Sequence, residues 1–167
     1  MSHIQIRSLT GSDSDWVANF VITHWGAATI IAHGVSYTPA NLPGFVAIEQ
    51  GKSKERERRV GLTTYMLQGD GCEIVTLDST QPGLGIGTAL IEAVKSVAAR
   101  SACRRLWLIT TNDNLNALRF YQKRGFTLAA IHKNALEQAR KLKPQIPLLG
   151  NDGIPLRDEI ELEMFLH

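Results

Sequence analysis

Residues 76–98, TLDSTQPGLGIGTALIEAVKSVA, constrain this chain most. A short apolar run ending in Leu77 and Asp78 passes through Gly83, Gly85 and Gly87 into a stretch where Leu90, Ile91, Val94, Val97 and Ala98 recur at helical spacing. Alternate glycines at such a strand-to-helix turn leave backbone N–H groups uncovered. With the helix N-terminus those groups form a partially positive cradle for an anion, and a phosphate or pyrophosphate fits it best. Two phosphate loops of known pattern fail here. A P-loop needs Lys and then Ser or Thr after its last glycine, whereas Gly87 is followed by Thr88 and Ala89. A dinucleotide fingerprint needs G-x-G-x-x-G and an acid ending the next strand, whereas the spacing is G-x-G-x-G and LWLITTN ends in Thr and Asn. By itself the loop is explained equally well as a tight turn.

A second motif follows about thirty residues on, where Asn114, Ala117, Tyr121, Gly125 and Phe126 fill N-x-x-A-x-x-x-Y-x-x-x-G-F without a gap. In this order, separated by a helix and an apolar strand, the two motifs resemble the GNAT superfamily of acyl-CoA-dependent N-acyltransferases, over residues 71–126. The resemblance implies an α/β chain with a mixed, mostly antiparallel central sheet flanked by helices on both faces. It implies acetyl-CoA as cosubstrate, no metal, and acetyl transfer to a small-molecule or peptide amine by direct attack in a ternary complex. The alternative is a non-catalytic CoA-binding or sensing domain of the same fold. Departing from the family's pyrophosphate loop, Pro82 stands where Arg or Gln is usual, with Gln81 one residue early. Backbone N–H groups supply most of that grip, so affinity should change without binding being abolished.

Carried over residue by residue, the cofactor contacts would come from Leu77, Ser79, Gly83, Leu84, Gly85, Ile86, Gly87 and Thr88, with Asn114, Ala117 and Lys123 on the second motif. A backbone N–H near residues 77–79 would polarise the thioester carbonyl. Lys123 and Arg124 are either phosphate contacts or solvated helix ends. Tyr121 matches the family's tyrosine that protonates the departing sulfur; a phenol with pKa of about 10 can donate to a thiolate whose acid has pKa of about 8.5. Its bland reading is a core aromatic. An alkylammonium, with pKa of about 10, needs a general base near neutral pH. Glu73, on the strand entering the loop, is the first candidate and Asp78 the second; strand alternation puts them on opposite faces unless a bulge intervenes.

The rest of the chain is consistent with one domain spanning residues 1–167, long enough to bury about 70 % of its unfolded surface without disulfides or metals. A net charge of +2 and 20 % charged residues give no nucleic-acid or membrane signature. MSHIQIRSL lacks the features of a secretory signal and no apolar run approaches a membrane span, so a cytoplasmic protein is expected, with a homodimer admitted. Cys72 and Cys103 make neither a metal pattern nor a disulfide framework and read as reduced small apolar residues.

Along the chain, a strand at residues 3–9 precedes a helix carrying Trp16, Val17, Phe20, Val21 and Trp25 at core spacing, with Gly26 as C-cap. His24 reads as a satisfied, partly buried histidine. Residues 27–44 read as a long loop with a short helical piece at 28–32, from which His33 and Tyr37 would contact the acceptor amine. FVAIEQ and VGLTTYML read as a hairpin with a charged, solvated tip, and CEIVTLD as the strand entering the glycine loop. A strand FTLAAIH, a short helix at 134–142 and an irregular stretch at 143–158 follow. The final run, EIELEMFL, alternates as a strand with one wet, glutamate-bearing face.

Overall fold

The chain's alternating and helical runs fold, in the computed structural model, as β1 His3–Ser8, α1 Ser14–Trp25, β2 Ile30–Ala32, β3 Val35–Tyr37, β4 Gly44–Gln50, β5 Glu57–Gln68 and β6 Gly71–Ser79. The second half adds α2 Ile86–Arg100, β7 Arg105–Thr111, α3 Leu115–Gln122, β8 Thr127–His132, α4 Ala135–Leu142 and β9 Glu159–Phe165. The structure describes residues 3–51 and 57–167; much of the charged hairpin tip read from the sequence lies outside them. Seven strands form one sheet in the order β1-β4-β5-β6-β7-β9-β8, and only β6 and β7 run parallel. This is the mixed, mostly antiparallel sheet expected.

Helices α2 and α3 cover one face. Leu90, Ile91, Val94 and Ala98 of α2 are buried on the sheet, together with Tyr121 and Phe126 at the end of α3. The opposite face carries α1, whose Val17, Phe20 and Val21 pack with Leu62 of β5. Each such side chain contributes roughly 1.5–3 kcal/mol on leaving water, which is why the two apolar stripes set the layer order. A Cβ at Gly61 would lie 2.7 Å from Ile86 Cγ2, so a glycine is needed for α2 to settle this closely on β5. The two cysteines are free and buried.

β6 and β7 pair only from Gly71 with Arg105 to Ile74 with Leu108. Beyond that point β6 continues against β5 as far as Ser79, so the two parallel strands part and leave a gap. β6 is also bulged. Thr64 opposes Thr76 while Tyr65 opposes Ile74, so Val75 is the extra residue. The bulge turns Glu73, Thr76 and Asp78 to the same side of the sheet, that of α1.

Three expectations are corrected by the structure. The stretch read as loop with a helical piece at 28–32 is instead a hairpin of β2 and β3, with His33 (φ 41°) and Gly34 (φ 77°) as its two turn residues. Positive φ at both is the mark of a type I′ turn, whose twist matches that of the flanking strands. Trp25 is 42 % exposed and is no core residue. The glutamate face of β9 is not wet: Glu159 is buried, and Glu161 and Glu163 are half-buried against Arg105.

Asp13, fully buried ahead of α1, ties β1 and β5 to the helix. Its carboxylate accepts from Arg7 (2.8 Å), Arg59 (3.1 Å) and the Thr10 backbone N–H (2.9 Å). The Arg7 guanidinium holds its pKa well below the usual carboxylate range, against the opposing effect of burial. A depressed folded-state pKa means that the stabilisation is complete above the unfolded carboxylate pKa and is lost as pH falls through the folded one. Asp13→Asn should cost about 1–3 kcal/mol at pH 7 and a smaller amount in acid. Urea unfolding at both pH values measures this; an unchanged midpoint at pH 7 would show that the cluster adds no stability.

Candidate active site

Where β6 and β7 part, β6 runs into the glycine loop and α2, and the loop's conformation depends on its glycines. Gly83 (φ 84°) and Gly85 (φ 74°) both adopt left-handed backbone conformations, which cost a residue with a Cβ about 1–2 kcal/mol. Gly85 is the N-cap of α2, with no side chain shielding the first N–H groups. Gly87 serves packing instead. A Cβ there would lie 2.8 Å from Phe120 Cζ, so its absence lets α3 come against the first turn of α2.

Loop, α2 and α3 together wall a cleft of about 550 Å³. Leu77 and Ser79 line it from the end of β6; Gly83, Gly85, Ile86, Gly87 and Thr88 line it from the loop and helix; Ala117 and Tyr121 line it from α3. Leu84 is 59 % exposed and, like Asn114 and the exposed Lys123, stands outside the wall. Asn114 caps α3 instead, its side-chain oxygen accepting from Ala117 N–H at 3.1 Å. Four wall residues not among the candidate contacts are Gln81, Pro82, Asn116 and Phe120; of the two basic residues weighed at the end of α3, Arg124 lines the cleft and Lys123 does not. The helical offset of Asn116 and Phe120, four apart on α3, is the signal that could have found that pair.

Tyr121 is 8 % exposed, edge-on to Phe120 and Phe126 with ring centroids 5.2 and 5.4 Å away. Its hydroxyl makes no hydrogen bond to another described residue. Burial, and then the charge of Asp78, raise its pKa, so the phenol keeps its proton throughout the neutral range.

On the α1 face of the same strand end lie the two carboxylates. Asp78 accepts a hydrogen bond from Trp25 Nε1 at 2.9 Å, and desolvation raises its pKa despite that bond and the nearby His24. His24 itself is satisfied, as expected, with Nδ1 2.9 Å from the Phe20 carbonyl and its ring stacked on Phe20, but it is exposed rather than partly buried. Glu73 is 5 % exposed and fastened to the β2–β3 hairpin. Tyr37 donates its hydroxyl to Oε2 at 2.7 Å, and His33 Nε2 lies 2.9 Å from Oε1. The hairpin tip is held a second time by the His33 backbone N–H, which donates to Glu159 at 2.9 Å. His33 also leans on the Trp107 ring of β7, centroids 5.2 Å apart, so the cluster sits over the β6–β7 seam where pairing ends. Glu73 further lines a smaller cavity of about 180 Å³ with Asp70, Arg105 and Trp107. Tyr37 and His33, read from the sequence as acceptor contacts, are thus brought together with Glu73.

A catalytic arrangement can be built from these parts: an uncovered helix N-terminus for an anion, a neutral phenol on the cleft wall, and carboxylates on the far side of the strand end. Among the described residues no group of His, Cys, Asp or Glu could hold a metal ion, and no helix is long and apolar enough to cross a membrane.

Comparison with known proteins gives a family match over residues 32–126, to the acetyltransferase (GNAT) family. The uncharacterized protein YdhI of Bacillus subtilis (strain 168) is 43 % identical over 144 residues, covering 86 % of this chain and 87 % of that protein. Among solved structures, the IAA acetyltransferase from Bacillus cereus ATCC 14579 superposes with a TM-score of 0.68 at 20 % identity, over 98 % of this chain and 100 % of the other. A GNAT family acetyltransferase from Elizabethkingia anophelis, with acetyl-CoA bound, gives 0.66 at 20 % identity over 98 % of both chains.

Proposed function

Because the chain belongs to the acetyltransferase (GNAT) family, we propose that it moves an acetyl group from acetyl-CoA to an amine by direct attack in a ternary complex. The observation that carries this reading is the cleft itself, in which an uncovered helix N-terminus and a tyrosine that stays protonated line one wall system at the end of a bulged, splayed strand. Acetyl-CoA brings a diphosphate and an acyl thioester. The backbone N–H groups of the glycine loop and of the first turn of α2 suit the diphosphate, and Ala117 keeps the facing wall thin. The edge of β6 that faces β7, unpaired beyond Ile74, suits the pantetheine arm and, near residues 77–79, a thioester carbonyl.

For the acceptor, Glu73 is the preferred route for the ammonium proton, with Asp78 second. Glu73 has lone pairs left after accepting from Tyr37 and His33, since a carboxylate offers about four acceptor sites. Tyr121 then protonates the leaving thiolate. Neither cysteine suits a covalent route: both are buried, and burial raises both thiol pKa values. Initial velocities at varied acetyl-CoA and amine should therefore give intersecting double-reciprocal lines. Parallel lines would mean an acetyl-enzyme and would overturn direct attack.

The cradle has its own test. A Cβ at Gly85 meets nothing within 4 Å, so a longer side chain has room to enter the cleft, at the cost of the left-handed strain that φ 74° imposes. Gly85→Glu should weaken CoA binding about 100-fold through like-charge repulsion near the diphosphate. Calorimetric titration with CoA measures it, and a folded variant that binds as tightly as the parent would move the cradle elsewhere.

A further inference from the structure

We propose that Arg124 is the cation that grips the diphosphate of the acetyl donor, replacing the side chain that the glycine loop lacks at Pro82. The inference rests on the acetyl-CoA reading above and extends it to a residue outside the loop.

Within the loop, the side chains of Gln81 and Pro82 also line the cleft, and neither carries a charge. Proline has no donor, and the Gln81 amide is directed to Glu49, with Nε2 to Oε2 at 3.2 Å. Arg124, by contrast, is built into the cleft. Its Nε donates to Thr88 Oγ1 at 2.8 Å, in the first turn of α2, and its Nη1 donates to the Phe120 carbonyl at 2.8 Å. The guanidinium carbon lies 3.5 Å from the centroid of the Phe120 ring, the same ring that Gly87 admits against α2. Three anchors thus hold the group flat beside the uncovered N–H groups.

What it lacks is a counter-charge. No carboxylate pairs with Arg124 among the described residues, although it is half-buried and lines the cleft with Gly83, Gly85 and Gly87. Two of the five guanidinium N–H groups are used by these bonds, which leaves three. A half-buried cation bonded only to neutral oxygens and a ring face is incompletely compensated for lost hydration, and an anion in the cleft completes it. The position of the group decides which anion: it is bonded to Thr88, at the same helix end whose backbone suits the diphosphate.

Calorimetry with CoA, with dephospho-CoA, which lacks the 3′-phosphate, and with pantetheine, which has no phosphate, tests this. Arg124→Met should raise Kd about 10- to 100-fold for CoA and for dephospho-CoA alike and leave pantetheine unchanged. Arg124→Lys, a point charge without the planar fork, should recover only part of the loss. Equal affinities in variant and parent would overturn the proposal, as would a loss confined to CoA, which would put the contact at the 3′-phosphate. Equal losses for all three ligands, pantetheine included, would mean damage to the cleft and also overturn it. A parent protein that binds none of them would sink the donor assignment itself, a result separate from any behaviour of Arg124.

Discussion

Tyr121→Phe is expected to lower turnover by ~10²- to 10⁴-fold, the usual worth of a positioned proton donor, while the fold and CoA affinity persist. The ring's packing against Phe120 and Phe126 is kept in phenylalanine, and no hydrogen bond to another described residue is lost. Structure alone therefore predicts little cost from this change, so a large loss of rate isolates the chemistry of the hydroxyl. Its raised pKa sharpens the expectation: the phenol stays protonated well past neutral pH, so the parent should not lose its acid in that range. Turnover unchanged in the variant, under conditions where chemistry limits the rate, would leave Tyr121 a core aromatic.

Glu73→Gln is expected to have an effect of similar scale, ~10²- to 10⁴-fold, with a pH signature of its own. Size and reach are preserved but the basic form is gone, and one of the two donors, Tyr37 or His33, then faces an amide N–H instead of an acceptor. The loss should be greatest near neutral pH, where the amine is almost wholly protonated, and smaller toward its pKa of about 10, where free amine no longer needs a base. Asp78→Asn is the comparator. Asp78 lies on the same face, has a pKa raised by desolvation, and stands nearer the loop, but its carboxylate already holds Trp25. Its replacement should lower the rate less. If the pH-dependent loss follows Asp78→Asn and spares Glu73→Gln, the two roles exchange.

Reading both carboxylates on one face was beyond the sequence, because strand alternation is regular only until a bulge resets it. Nothing in CEIVTLD announces the extra residue at Val75, and only the partner register reveals it. The glycine loop and α3 were legible for the opposite reason: their features are local. Positive φ at Gly83 and Gly85, the Asn114 cap and the helical spacing of Leu90, Ile91 and Val94 each depend on residues a few positions apart. The β2–β3 hairpin fell between these cases. Strands of three residues are too short to declare a period, although His33-Gly34 between TIIA and VSY is a two-residue turn signal that could have been weighed. Misreading β9 had another cause, since an alternating glutamate row looks the same from the sequence whether water or Arg105 covers it.

Transfer of an acetyl group to an amine in this cleft is read from the two products together. The protein is incubated with acetyl-CoA and a panel of primary amines, small molecules and peptides, while free thiol and acetylated amine are quantified together. At least one amine should give thiol and acetyl-amine in equal amounts, at a rate that collapses in Tyr121→Phe. Tight CoA binding with no acetyl-amine from any member of a broad panel would contradict it and leave a CoA-binding domain without transfer chemistry.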